Sequence, residues 1–397
     1  MRNWPNIFAA ASCASGLLLC ALPVAAESAK SPLLVLIGGD AKVWQASCTE
    51  RGWQFLDPWN GLPGKTTDER LLALAAKVAE AGKQPGVDPD RVYLAAQGTF
   101  VPTLFFIAAR LPDLWAAAAA VGGSPRSAID SNRLFAGNTT NLPVLWLFAN
   151  KEEEPLGKRL QSAGFNLEWS EASAAKPPEI FDWLAGHTRD AFPTTADCET
   201  GSPLFTHCYW LEVTKFDPAE RNDVLDSTRV EPIGSNAILA IGPFGYNPGE
   251  AGPGVLVTSL PDKYGGPLKV DDRILEMGGK QIKDGADYTQ ILYRTFEEKP
   301  VVVMVQRGKE HLRMETKIVM AGRMEVLTAR VRAQFLPEMR EVEVVSRAVV
   351  QMKVTLPAGW LPVKISWNGT EVTEAAAAGC WLLNEDKELL SAKRCAP

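Results

Sequence analysis

Between residues 31 and 190, continuous apolar runs alternate with segments of helical period, and this alternation limits the fold more than any other feature. "LLVLIGG" (33–39), "WQFLDPW" (53–59), "RVYLAAQ" (91–97), "AAAAAVGG" (116–123) and "PVLWLFAN" (143–150) are apolar at nearly every position. A strand with one wet face would be apolar at every second position, so these strands are expected to be covered on both sides. The intervening "DERLLALAAKVAEAG", "VPTLFFIAARL" and "PPEIFDWLAGHTRD" carry the helical spacing, with Asp68 and Glu69 in the first turn of the first. The pattern predicts a parallel sheet with helices on both faces.

A second region, about 233–320, is richer in Gly. It holds the strands "GVLVTSL" (254–260) and "PVVVMVQRG" (300–308), a turn at Gly278-Gly279, and one helix at "GADYTQILYRTF". A third, about 324–397, is all β, with "LTARVRAQF" alternating on one face and Asn368-Gly369 marking a hairpin. "LFTHCYWLEVT" (204–214) has the same alternation, at His207, Tyr209, Leu211 and Val213, but precedes the second region. A lone strand cannot satisfy its backbone, so it is assigned to the third region's sheet, with the second region inserted between. The expected division is 27–195, a split, sandwich-like β domain of 196–232 and 324–397, and an insert of 233–323.

Residues 1–26 read as a signal peptide: one early charge at Arg2, an apolar run Ile7–Leu22, and small residues before the cleavage site in Val24-Ala25-Ala26. The expected location is secreted or periplasmic, with no transmembrane segment after cleavage. Cys48, Cys198, Cys208, Cys380 and Cys395 then remain. The local pairs Cys198/Cys208 and Cys380/Cys395 are the simplest arrangement, although spacing alone does not fix connectivity. Cys48 is expected to be a buried structural thiol. A net charge of −6 gives no reason to expect nucleic acid, and the Cys and His spacings match no zinc template. No metal and no cofactor are expected.

The element order of 31–190 resembles the α/β-hydrolase fold, closest to secreted dienelactone-hydrolase and polyhydroxyalkanoate-depolymerase-like esterases. "VDPDRVYLAAQGTFVPTLFFIAARLPDLWAAAAAVGG" resembles their nucleophile strand, helix and following strand, and "IFDWLAGH" their closing helix. In this resemblance the elbow position is Gly98, which carries no side chain. Phe100 stands where the family has a glycine, and Thr99 is a hydroxyl one place off. The family's oxyanion His-Gly corresponds to Ile37-Gly38. Glu153, flanked by Glu152 and Glu154, is the nearest candidate acid. The base should fall within 170–179, which contains no His; the chain's histidines are His187, His207 and His311.

"GVLVTSLPDKYGGPLKVDDRILEMGGKQIKDGADYTQILYRTFEEKPVVVMVQRGKE" resembles a PDZ domain, keeping Asp272 and Ile274 of the family pattern. The resemblance implies a peptide-binding edge at Ile238, Leu239, Ala240 and Ile241, and a pocket lined by Tyr288, Ile291 and Leu292. It further implies peptide or protein C-termini as partners. Three functions follow as expectations: a non-catalytic protein-binding scaffold as the main reading, an esterase-type serine hydrolase with relocated catalytic residues, and a carbohydrate or polymer binder using Trp360, Trp367 and Trp381. The sequence leaves the oligomeric state open.

Overall fold

The computed structural model describes residues 30–395 except 132, 149, 172–176, 220–224, 231–236, 248, 296–297, 321–326 and 387–388. The expected signal peptide, and the boundaries expected at 232/233 and 323/324, lie outside the described residues.

The first sheet contains β1 (Ser31–Leu36), β2 (Gln54–Leu56), β3 (Val87–Gln97), β4 (Ala117–Val121), β5 (Val144–Phe148) and β6 (Leu167–Glu171). It is a six-stranded sheet in the order β2-β1-β3-β4-β5-β6, parallel throughout. This is consistent with an α/β-hydrolase-like fold. The connecting helices are α1 (Ala41–Arg51), α2 (Thr67–Gly82), α3 (Val101–Arg110), α4 (Arg126–Asp130), α5 (Glu154–Ser162) and α6 (Pro177–Ala185).

The strand period of two distributes side chains to both layers. Leu33, Val35 and Ile37 pack with Leu71, Leu74, Leu104 and Phe105 on one face. Leu34 and Leu36 pack with Trp44, Cys48, Phe181 and Leu184 on the other. Local chemistry starts these helices. Asp40 caps α1 by accepting from the Lys42 and Val43 amides. Thr66 and Glu69 form a capping box on α2. Cys48, on the buried face of α1, is the free thiol among the described residues, and burial pushes its pKa up to about 12.

A β-rich region follows. Strands β7 (Thr195–Thr200), β8 (His207–Cys208) and β9 (Leu211–Phe216) precede an α+β unit. That unit contains β10 (Ala237–Leu239), β11 (Val255–Leu256), β12 (Arg273–Met277), β13 (Lys280–Gln281), α7 (Gly285–Tyr293), β14 (Lys299–Arg307) and β15 (Glu310–Met320). Its main path is β10-β15-β14-β12-β11, antiparallel, over a core that includes Ile274, Tyr288, Val303 and Val305. Asp272, nearly fully buried, takes a two-pronged ion pair from Arg307 and the Lys269 amide. Burial opposes its charge, but these donors outweigh burial and hold the carboxyl below its ordinary range.

The remaining strands are β16 (Ala329–Leu336), β17 (Glu341–Arg347), β18 (Val349–Leu356), β19 (Val363–Trp367), β20 (Thr370–Ala375), β21 (Gly379–Asp386) and β22 (Leu389–Arg394). One sheet runs β20-β19-β17-β16-β7 and the other β22-β21-β18-β9-β8. Thus β7 pairs with β16, and β9 with β18, across the intervening α+β unit. Disulfides join Cys198 to Cys208 and Cys380 to Cys395.

Two sequence expectations need revision here. The stretch 204–214 is not one strand but a tight hairpin. Tyr209 adopts a left-handed φ of 58°, the chain reverses, and Cys208 pairs back with Leu211. The reversal carries Cys208 to Cys198 and buries Trp210, whose indole donates to Pro193 O at 2.9 Å. The tryptophans considered for polymer binding also face inward. Trp367 is fully buried and donates to Ser346, Trp360 stacks on Phe335 at 4.4 Å, and half-buried Trp381 donates to Ala377 O.

One buried amide ties the parallel-sheet unit to the β-rich unit that contains β7 and β16. Asn138 donates to Ala109 O at 2.7 Å and Glu199 O at 2.9 Å, and accepts from the Glu199 amide at 2.7 Å. Asn138→Ala would strand these backbone groups away from water. Its expected cost is on the order of 1–3 kcal/mol, read as a lower denaturation midpoint with the slope unchanged.

Candidate functional site

In an open parallel sheet, ligands gather where neighbouring strands send their connections in opposite directions. Here that point lies at the C-terminal ends of β1 and β3, because β1 leads outward to β2 while β3 begins the run to β6.

After β1 the chain turns through Gly38 and Gly39 into the α1 cap. After β3 it turns through Gln97 and Gly98 into α3. Gln97 ties the two turns together: its amide donates to Gly38 O at 2.8 Å, and its side-chain oxygen accepts from the Asp40 amide and the Trp44 indole. Gly98 has a left-handed φ of 61°, and a Cβ there would have open space around it. The turn from β3 into α3 thus passes through a left-handed glycine that presents no side chain. Thr99 is exposed. The Phe100 ring lies against Gly38 so closely that a Cβ there would collide with it.

The next loop adds a hydroxyl and a carboxylate. Gly123 fits against the Gly98 carbonyl, where a Cβ would collide, and its own carbonyl accepts from the Trp146 indole at 2.8 Å. Ser124 follows. Its hydroxyl donates to Glu153 Oε2 at 2.8 Å and accepts from the Arg126 amide at 3.3 Å. Both Ser124 and Glu153 are half-buried. Glu153, considered from the sequence as the acid of a triad, therefore meets a serine and not a histidine. Ser124 was missed by sequence reasoning, which inspected the elbow and its immediate neighbours. The available signal was a serine directly after the Gly122-Gly123 strand exit.

The histidines lie elsewhere. His187 Nδ1 is 2.8 Å from Trp183 O, its ring against Trp183. His311 sits in β15, opposite Gln306. His207 Nδ1 is 2.9 Å from Asp113 Oδ2, on the segment that leads into the N-terminal end of β4. The Asp113 hydrogen bond raises the His207 pKa against burial.

Of the residues expected at a peptide site, Ile238, Leu239, Tyr288 and Leu292 line one cavity of about 180 Å³ between β10 and α7. Strand β10 is at the sheet edge. Ala240 and Ile241 hydrogen-bond back to Lys317 O and Thr316 Oγ1. Ile291 packs on the core and is not among the cavity's lining residues. Phe244 and Tyr246, which the sequence reading did not select, also line the cavity and pack around Tyr288. Among the described residues there is no cluster of His, Cys, Asp and Glu able to hold a metal ion. No helix among them is long and apolar enough to cross a membrane.

No family model matches the chain, and no curated protein matches it. Among solved structures, a thermostable esterase is similar at 17% identity and a TM-score of 0.29, over 41% of this chain and 56% of that one. Esterase PE8 is similar at 16% identity and 0.28, over 42% and 94%. A bacterial heroin esterase is similar at 14% identity and 0.28, over 40% and 74%. The match thus spans just over half the length of the first esterase. The main functional expectation from the sequence, a non-catalytic protein-binding scaffold, is corrected by this result. The three structures named here are esterases, and none of them is a non-catalytic scaffold.

Two outcomes test the site's physical description. Gly98→Ser should fold with a penalty of about 1–2 kcal/mol from the left-handed backbone, and its new hydroxyl should stay unreactive toward fluorophosphonates, since no histidine adjoins it. At His207, protonation is favoured in the folded state. The Asp113 pair therefore stabilises below the ordinary imidazole range and is lost as pH rises through the raised pKa. His207→Gln should lower Tm at about pH 5.5 and leave it unchanged at about pH 9.

Proposed function

We propose that this protein is an esterase-type serine hydrolase whose catalytic pair has moved from the elbow to Ser124 and Glu153. The observation that carries this reading is the 2.8 Å hydrogen bond from Ser124 Oγ to Glu153, at the switch-point end of the parallel sheet. A serine needs an adjacent base to become a nucleophile, and a carboxylate within hydrogen-bond reach can serve. Ser124 Oγ attacks the ester carbonyl carbon while Glu153 takes its proton. Glu153 returns that proton to the departing alcohol oxygen, leaving an acyl-serine. Water, deprotonated by Glu153, then releases the acid and restores Ser124. In this reading the Gly38-Gly39 turn supplies backbone donors for the oxyanion.

Within the same proposal, residues 27–195 form the hydrolase domain, and 196–232 with 324–397 the split β domain. Residues 233–323 form a PDZ-like insert, a reading supported by its antiparallel sheet, the helix α7 and the buried Asp272–Arg307 pair. Export to a secreted or periplasmic location is supported by the two disulfides.

The test uses p-nitrophenyl acetate and butyrate with fluorophosphonate labelling. Turnover is expected, with label on Ser124. Ser124→Ala should abolish labelling, and Glu153→Gln should lower kcat by about 100-fold or more. Absence of turnover, or full activity in Ser124→Ala, overturns the assignment.

A further inference from the structure

A cavity of about 350 Å³ lies between the parallel-sheet unit and the β-rich unit, and its lining includes neither Ser124 nor Glu153. Its size falls at the lower end of the range for small-molecule sites. One wall is apolar: Ala109, Phe135, Pro203 and Phe205. Another carries charge that the protein leaves incompletely matched. Arg110, only 7% exposed, has its guanidinium held between the rings of Phe106 and Phe205, at 4.1 and 4.8 Å. Its Nε is buried without a hydrogen-bond partner. Among the described residues its one ion pair is with Asp68 at 3.3 Å, and Asp68 is shared with Arg133 at 3.9 Å.

The other carboxylate of the cavity offers these arginines nothing. Both oxygens of Glu199 are filled by Ser227 Oγ, Thr328 Oγ1, the Thr228 amide and Thr228 Oγ1, all within 2.7 Å. Arg110 and Arg133 therefore share Asp68, and a third guanidinium, that of Arg229, lines the same cavity. Burial lowers the Arg110 pKa to about 10 despite Asp68, as expected for a cation short of counter-charge.

We propose that this cavity binds a small organic monocarboxylate, with its carboxylate between Arg110 and Arg133 and its apolar body against Phe135 and Phe205. A guanidinium presents paired donors that match a carboxylate's two oxygens. A single negative charge brings the cavity's lining charges, Arg110, Arg133 and Arg229 against Asp68 and Glu199, to zero, whereas phosphate would overshoot it. The apolar wall has no use for a bare inorganic ion. The site is independent of ester cleavage.

Calorimetric titration of the purified protein with benzoate, benzamide and inorganic phosphate tests this. Benzoate is expected to bind at least tenfold more tightly than benzamide, which has the same shape without the charge, and more tightly than phosphate. Arg133→Ala, at a side chain 62% exposed and so tolerated by the fold, should weaken benzoate at least tenfold. Asp68→Asn, which removes the competing carboxylate, should strengthen it. Ser124→Ala should leave it unchanged, so that failure of the hydrolase proposal would not touch this one. Equal affinity for acid and amide, preference for phosphate, no binding, or an unaltered Arg133→Ala would each overturn the site.

Discussion

The hydrogen bonds that Asn138 makes to Ala109 and Glu199 join two units with separate cores. The residue caps the end of one unit's helix α3 and satisfies the edge strand of the other. Because strand β7 is fixed there, its side chains can be used on both faces. Cys198 goes inward to the disulfide, and Glu199 outward to a ring of hydroxyls. Asp197, beside it, is paired by Arg330. Phe205 and Val230, from the β-rich side of the chain, enter the first unit's core. Asn138 and Glu199, both satisfied by hydrogen bonds, fix part of the wall of the inter-unit cavity, to which both units contribute residues.

At the switch-point edge, backbone and side chain have followed different rules. The turn at Gly98 retains the left-handed geometry and close packing of a strand-to-helix elbow, and Gly123 remains small where the elbow carbonyl needs it. The ring of Phe100, meanwhile, closes on Gly38, so the space beside the elbow is reduced. The Ser124–Glu153 pair is one loop further along the same edge. It is held by interactions that the fold makes anyway: the Trp146 indole on Gly123 and the Arg126 amide on Ser124.

The parallel sheet was legible because burial on both faces leaves an unmistakable record, runs such as Leu33 to Ile37 with no polar position. The local disulfide pairs were legible for a simpler reason, short loops. The hairpin at Tyr209 was not, since alternation of His207, Tyr209, Leu211 and Val213 fits one straight strand as well as two short ones. The reversal rests on a left-handed tyrosine that sequence gives no reason to expect. Ser124 and the cavity arginines were invisible for a related reason. Their meaning comes from partners 29 residues away in one case and 42 in the other, and no local pattern joins such positions. The scaffold expectation rested on what Gly98 and residues 170–179 lack and on the PDZ resemblance, none of which bears on Ser124.

Cys48 bears on how such a chain could mature. An odd cysteine among four destined for disulfides is ordinarily a hazard, since a thiolate can attack a finished bond and shuffle the pairing. Sealed on the buried face of α1 with its proton held tightly, this sulfur supplies almost no thiolate once the first sheet has closed over it. Order of assembly then matters. If the parallel-sheet unit folds first, the one free thiol among the described residues is out of play before Cys198 and Cys380 find their partners. Correct oxidation is thereby a matter of timing as much as of geometry.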